Sequence, residues 1–398
     1  MQYTFLEATA HVTFHTPFIQ QSDLCHLCRC LLLQMEVQAF IEHCMQVVGT
    51  RASHARSLAR VLLEGDLRGH YSHGLNRMDV YVTEIRAGIC ARDGEPVVEK
   101  ESAATALVNG KNLLGPVVGN YCMSLAVKKA QDMGVGWVVA HGKKWEVICL
   151  FLSVSLCLCS GSNHFGIAAY YSMQALKENM IGMAYTNTSP LVVPTRAKEG
   201  TLGTNPISVA APAMDGDSFV LDMATSAVAL GKVEIHERNG VSIPEGWGCD
   251  SGGRVSTEPK AVLSGGGLVP LGGNETTGLC LSQALPTLGG SHKGYGLSLM
   301  VEVFCGMLAG AQYSKHIRTW RVTDRMADLG QCFVAVNPEH FAPGFNDRMS
   351  HLLSLHRNLE PVDPGMPVMA AGDPERKHMQ TCQELGGIPY YLSVVKHM

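Results

Sequence analysis

Short apolar runs alternate with helical periodicity along most of this 398-residue chain, and that alternation limits its fold more than any other feature. Val135-Gly-Trp-Val-Val-Ala-His141 is a near-continuous apolar run of the kind found in buried strands. Ala106–Asn112 reads as a strand and turn, and Ile181–Asn187, Ser218–Asp222 and Gly330–Val336 read as further strands. Between them lie helices. Val37, Phe40, Ile41, Cys44 and Val47 recur at helical spacing, and a second helix begins with Ser53 as N-cap and runs through Leu62. Met78–Ile85 and Val117–Asp132 follow the same period. Ser162 or Asn163 caps a helix through Leu176, and a long helix follows Lys293-Gly-Tyr-Gly as far as Leu308. Residues 239–273 are glycine-rich and read as irregular. Such alternation predicts an α/β architecture, with length for one large or two ordinary domains.

No G-x-G-x-x-G follows a predicted strand, and no G-x-x-x-x-G-K-[ST] occurs. Neither a Rossmann nor a P-loop nucleotide cradle is therefore expected. The chain is 46% hydrophobic and 17% charged, which suits a folded globular protein. A net charge of −4 gives no electrostatic reason to expect nucleic acid or an anionic membrane as partner. The longest largely apolar run, Val147–Cys159, falls short of the roughly 20 residues a membrane helix needs. The N-terminus has no basic region followed by an apolar core, and fourteen cysteines in a chain this long read as reduced thiols. Both point to the cytoplasm. Cys25-His-Leu-Cys-Arg-Cys30 offers half of a zinc site, but no second ligand pair follows at suitable spacing, so no metal is expected.

The chemistry concentrates in Arg68-Gly-His-Tyr-Ser-His-Gly-Leu-Asn-Arg77. Histidine exchanges a proton near neutral pH, and arginine holds a carboxylate through a planar fork. A proton donor beside a carboxylate clamp is the equipment for interconverting 2-keto and 2-hydroxy acids. Five more motifs follow in order: SNHFGIAAYY (162–171), YTNTSPLVVPT (185–195), LGTNPISVAAP (202–212), DMATSAVALGK (222–232) and KGYGLSLMVEVFCG (293–306).

Together the six motifs resemble the type 2 malate/L-lactate dehydrogenase family, over about residues 35–398. The resemblance implies a non-Rossmann NAD(P)-binding α/β fold, a mixed sheet with surrounding helices. It also implies a homodimer using NAD or NADP on a small 2-hydroxy or 2-keto acid. By the same resemblance His73 is a general acid/base, Arg77 holds the substrate carboxylate, and His164 is the second proton-transfer candidate. Ser72 contacts the substrate or orients His73. Asn163, Asn187, Thr188, Ser189, Pro190, Asp222, Lys293 and Gly294 line the cofactor site. Asp222 has an alternative reading as a cap for the turn after its strand, and His70 and His292 read as local hydrogen-bonding residues. The implied domains are 35–110 with 320–398 for substrate and dimerisation, and 111–319 for the cofactor. Two alternatives stay open: a reductase of cyclic imine carboxylates, and a catalytically impaired form that keeps the fold as a binding or scaffold protein.

The chain departs from the family at three places. Residues 1–34 have no counterpart, and 143–161 and 279–290 interrupt family motifs. The first interruption, after Lys143-Lys-Trp-Glu, is nearly all Leu, Cys, Ser, Val and Phe. Gly142-Lys143 can be encoded GGTAAG, and Ser160-Gly161 can be encoded TCAGGC. This composition is what an intron read through in frame would give. The interruptions flank the motifs at His164 and Lys293, so this form is expected to have weak or no activity, and a form lacking both segments is expected to be active.

Overall fold

The computed structural model describes residues 29–142, 162–273 and 290–398. Both expected interruptions, apart from Gly290, and Cys25 and Cys28 of the half zinc site lie outside those residues. Strand β1 (Arg29–Leu32) leads into α1 (Gln34–Val47), α2 (Ala52–Leu67) and α3 (Met78–Arg86). Strands β2 (Val97–Glu101) and β3 (Thr105–Asn109) precede α4 (Gly115–Met133) and β4 (Val135–His141). Helix α5 (Ala169–Leu176) is followed by β5 (Ile181–Thr186), β6 (Ile207–Pro212), β7 (Ser218–Met223) and α6 (Leu230–Arg238). Next come β8 (Gly248–Cys249), β9 (Val255–Ser256), α7 (Pro259–Leu263), β10 (Gly267–Leu268) and α8 (Ser291–Glu302). The chain closes with β11 (Gln331–Val336), α9 (Phe345–Arg357), α10 (Asp373–Leu385), β12 (Ile388–Tyr391) and α11 (Leu392–His397).

Seven strands form one sheet in the order β2-β3-β4-β11-β5-β6-β7. Its one parallel pairing is β3 with β4; β11 pairs antiparallel with β4 and β5. This is a mixed α/β sheet, not the parallel sheet of a Rossmann fold. It takes β2 and β3 from before residue 110 and β11 from after 320, so its strands lie on both sides of the expected domain boundaries.

The apolar runs follow from double coverage. Val138 and Ala140 of β4 pack with Phe333 and Ala335 of β11 against α4 and α5. Val139, Cys332 and Val334 face the other way, toward Val301 of α8 and Cys305 of the π-helical turn after it. A strand buried on both faces has no polar face, so it reads as continuous rather than alternating. A separate core joins α1, α2 and α3 to the β1–β12 ribbon through Phe40, Leu58, Leu62 and Tyr390.

Three local expectations change. Helix α5 starts at Ala169, not at Ser162, because a carboxylate from β7 supports its first turn: Asp222 Oδ2 accepts from the Ala169 N–H at 2.8 Å. Helix α2 is preceded by Arg51 without a side-chain cap, and Ser53 sits inside its first turn. Residues 239–273 are not simply irregular, since they hold the three-stranded sheet β10-β8-β9 and α7. Strands this short, separated by glycines, leave no periodicity to read.

Candidate active site

The 68–77 motif is a loop tied down from below. Asp66, fully buried near the end of α2, accepts the Leu75 N–H at 2.8 Å and the Tyr390 hydroxyl at 2.6 Å on the same carboxylate oxygen. Burial pushes its carboxyl up to about 7, against those two hydrogen bonds. Gly74 passes directly over this carboxylate, and a Cβ there would lie 1.9 Å from Asp66 Oδ1. The sequence Asp66…His-Gly74 thus encodes a turn that only glycine permits.

The turn presents three functional groups. Ser72 Oγ and His73 Nδ1 lie 2.9 Å apart. Arg77, 4% exposed, donates from Nε to the Ser72 carbonyl at 2.6 Å and reaches Glu234 of α6 at 3.4 Å. Its guanidinium also lies over Trp320, 5.6 Å from the ring centroid. His164 stacks on His73 with ring centroids 5.9 Å apart and planes 21° apart. The Tyr81 hydroxyl of α3 sits 2.6 Å from His164 Nδ1.

His73, Arg77, His164 and Trp320 line one small cavity of about 50 Å³ with Thr188, Ser189 and the first turn of α6. Burial, with the nearby His164 and Arg77, drives the His73 pKa well below the usual imidazole range. Burial and Arg77 push His164 down to about 3. Both imidazoles are therefore neutral at pH 7. Desolvation beside a guanidinium favours the neutral form of both rings, a shift that the residue types in the motif do not reveal.

The other expected residues divide. Thr188 and Ser189 reach the cavity, and the Thr204 N–H donates to Thr188 Oγ1 at 2.9 Å. Asn163 lies behind the wall, giving its amide to the Asn112 and Leu113 carbonyls at 3.2 and 2.9 Å. Asn187 is also buried: its amide donates to Glu302 at 3.0 Å, and its oxygen accepts from Gly330 N–H. Pro190 and the exposed Lys293 are not among the cavity-lining residues, and Gly294 packs on the Leu271 backbone. Asp222 is not among the cavity-lining residues; its carboxylate holds the first turn of α5, a different place from the turn after its own strand.

Several groups had no signal in the sequence reading. Glu302 joins Asn187 to Asn205, whose amide donates to it at 3.0 Å, and burial pushes its carboxyl up. Trp320 is presented by a loop tied to α3 through the buried Arg318–Glu84 ion pair. Only Tyr81 was findable, one helical turn after Arg77.

A nicotinamide dinucleotide fits these residues. Helix α6 begins without a side-chain cap, and Ala229, Leu230 and Gly231 of that end line the cavity, so the positive end of the helix faces the place an anionic group would take; its Lys232 N–H is already donated to the Ala229 carbonyl at 3.0 Å. A Cβ at Gly231 would fill the cradle, 2.7 Å from the Arg77 guanidinium.

The malate/L-lactate dehydrogenase family profile matches residues 34–145 and 152–398, and the chain belongs to that family. Malate dehydrogenase of Pyrococcus abyssi is 36% identical over 365 residues, 91% of each chain. L-sulfolactate dehydrogenase of Methanocaldococcus jannaschii is 34% identical, covering 83% of this chain and 85% of the relative. The structure of malate dehydrogenase from Pyrococcus horikoshii OT3 superposes with a TM-score of 0.78 at 32% identity, covering 96% of each chain.

Proposed function

We propose that this chain is an NAD(P)-dependent dehydrogenase of small 2-hydroxy acids of the malate or lactate type. The observation that carries it is the convergence of one buried guanidinium and two neutral imidazoles on a single cavity beside the α6 N-terminus. When bound, oxidised nicotinamide accepts the hydride of the carbinol carbon. The chain's residues do the rest. Arg77 pairs with the substrate carboxylate, and Trp320 backs that guanidinium. A neutral His73 takes the hydroxyl proton, with Ser72 holding its Nδ1 side. Thr188, Ser189 and the first turn of α6 are the cofactor-side groups. A spectrophotometric screen of 2-keto acids with NADH and with NADPH tests the reading and settles which cofactor serves.

One observation favours reduction of a cyclic imine carboxylate as a second reading. A protonated imine brings its own proton, so it suits a site whose histidines are both neutral in the free protein. Including a cyclic imine carboxylate in the screen decides between them. Cofactor binding without turnover of any candidate supports the scaffold alternative.

Residues 143–161 and 279–290 are the part of the chain we assign to in-frame insertions. The chain's approaches to each place support this. Gly142 N–H donates to Asp328 Oδ1 at 3.3 Å, and the neighbouring Leu329 N–H donates to Ser162 O at 3.0 Å, so both flanks rest on one dipeptide. At the second place a Cβ on Gly294 would lie 2.4 Å from the Leu271 backbone nitrogen, so the backbone before and after that segment is in contact. Flanks that already meet let a shorter chain close at little entropic cost. The family profile begins at residue 34 and breaks only at 146–151, within the first segment; it runs through 279–290 without a break. The shortened form is expected to turn over and the full chain to do so weakly. Among the described residues no helix is long and apolar enough to cross a membrane. We assign a homodimer, supported by exposed Leu352, Leu355 and Leu359 on and just beyond α9. Sedimentation equilibrium at twice the monomer mass is the expected result.

A further inference from the structure

His164 Nδ1 is approached by two donors. The Tyr81 hydroxyl is 2.6 Å away, and the Gly166 N–H points at the same nitrogen from 3.4 Å. A backbone N–H only donates, so Nδ1 is an acceptor and the imidazole's single hydrogen is on Nε2. The backbone at Gly166 is not free to turn away. It sits at φ +81°, and the position of its missing Cβ is 2.2 Å from Val61 Cγ1. Tyr81 is equally fixed, 1% exposed on α3, with its ring 5.8 Å from that of His164. The Nε2 side is the one left for the cavity that the ring lines.

We propose that Tyr81 is a positioning residue that, with the Gly166 N–H, locks His164 as the neutral Nε2–H tautomer, so that His164 donates a fixed hydrogen bond to the substrate oxygen while His73 alone exchanges the proton. This rests on the dehydrogenase reading above. The charged groups facing His164 agree with it. Arg77 and the parallel ring of His73 both oppose a second positive charge, and Tyr81 is a neutral phenol whose burial raises its pKa further. The two imidazoles then have opposite duties. In oxidation the hydroxyl proton passes to His73 Nε2, the carbinol hydride passes to the oxidised nicotinamide, and a C=O bond forms. Throughout, the oxygen accepts from His164 Nε2–H, which stabilises it as negative charge develops.

The test uses the full chain with 15N-labelled histidine. Proton–nitrogen correlation spectra report the tautomer, and the His164 signal is the one lost in His164→Asn. The expected result is Nε2–H from pH 5 to 8 in the parent, with mixed tautomers in Tyr81→Phe. A hydrogen on Nδ1, or a spectrum unchanged by Tyr81→Phe, would overturn the lock. Turnover supplies the second arm. Tyr81→Phe should lower kcat by roughly 10- to 100-fold, the worth of one charge-assisted hydrogen bond, with KM nearly unchanged. His164→Asn, which keeps an N–H donor, should retain more activity than His164→Phe and show the parent's pH profile. Loss of an ionisation from the profile in His164→Asn would show that His164 itself titrates and would overturn the proposal. Absence of any turnover in the chain lacking 143–161 and 279–290, beside an intact tautomer, would remove the dehydrogenase reading and leave the lock standing.

Discussion

The two walls of the cavity are built differently. The near wall comes from one stretch, Ser72 to Tyr81, tied to Asp66 beneath it and running straight into α3. The far wall is assembled from Thr188 and Ser189, Thr204, the start of α6 and Trp320, with the buried Asn187–Glu302–Asn205 set behind it. A contiguous wall carries its geometry in local turn chemistry. A dispersed wall depends on every connection between its parts, including that at 279–290, and His164, which closes the cavity against His73, depends likewise on the connection at 143–161.

The largest expected effects fall on the near wall. His73→Ala and Arg77→Ala should each lower kcat/KM by on the order of 10²–10⁴ in steady-state assays. If His164→Ala alone did so while His73→Ala did not, the division of duties would be reversed. Next comes Asp66→Ala, which leaves the buried Leu75 N–H and Tyr390 hydroxyl without an acceptor. Destabilisation of about 2–5 kcal/mol is expected by denaturant unfolding, with activity lost in parallel.

The same carboxyl predicts a pH dependence. Its folded pKa is raised from 3.8 to about 7, so the folded state binds the proton more tightly than the unfolded state. That contribution is fully present below about pH 4 and is lost as pH rises through about 7. Relative to Asp66→Asn, the parent should therefore lose stability between pH 4 and 7, and parallel unfolding curves for the two would contradict the assignment.

On the far wall the effects should be smaller. Trp320→Leu removes the ring beneath Arg77, an interaction on the order of 0.5–2 kcal/mol, so KM should rise up to about 30-fold with kcat less affected. A comparable fall in kcat would mean that Trp320 also orders the reacting groups. Smallest is Glu234→Gln. It relieves the 3.4 Å competition for Arg77, and KM for the acid should fall a few-fold in the same assay.

The same contrast explains what the sequence made legible. The strands at 135–141, 181–186 and 331–336 were readable because burial on both faces leaves few polar residues in a run, and those mostly at its ends. His73 and Arg77 were readable because turn, glycine and functional groups share ten residues. Strand β2 was not, since Val97–Glu101 is an edge strand with a largely exposed, charged sequence. The role of Asp222 depends on which helix end lies beside β7, and Trp320 reaches the site only through tertiary packing of its loop. The neutrality of both histidines was equally hidden, because desolvation belongs to the assembled cavity and not to the motif.

The most direct test is NAD(P)H-dependent reduction of 2-keto acids by the chain lacking 143–161 and 279–290, with Arg77→Ala in the same background. Saturable turnover that falls at least about 100-fold in Arg77→Ala is the predicted result. Turnover no greater than that of Arg77→Ala with every keto acid and both cofactors would contradict the account.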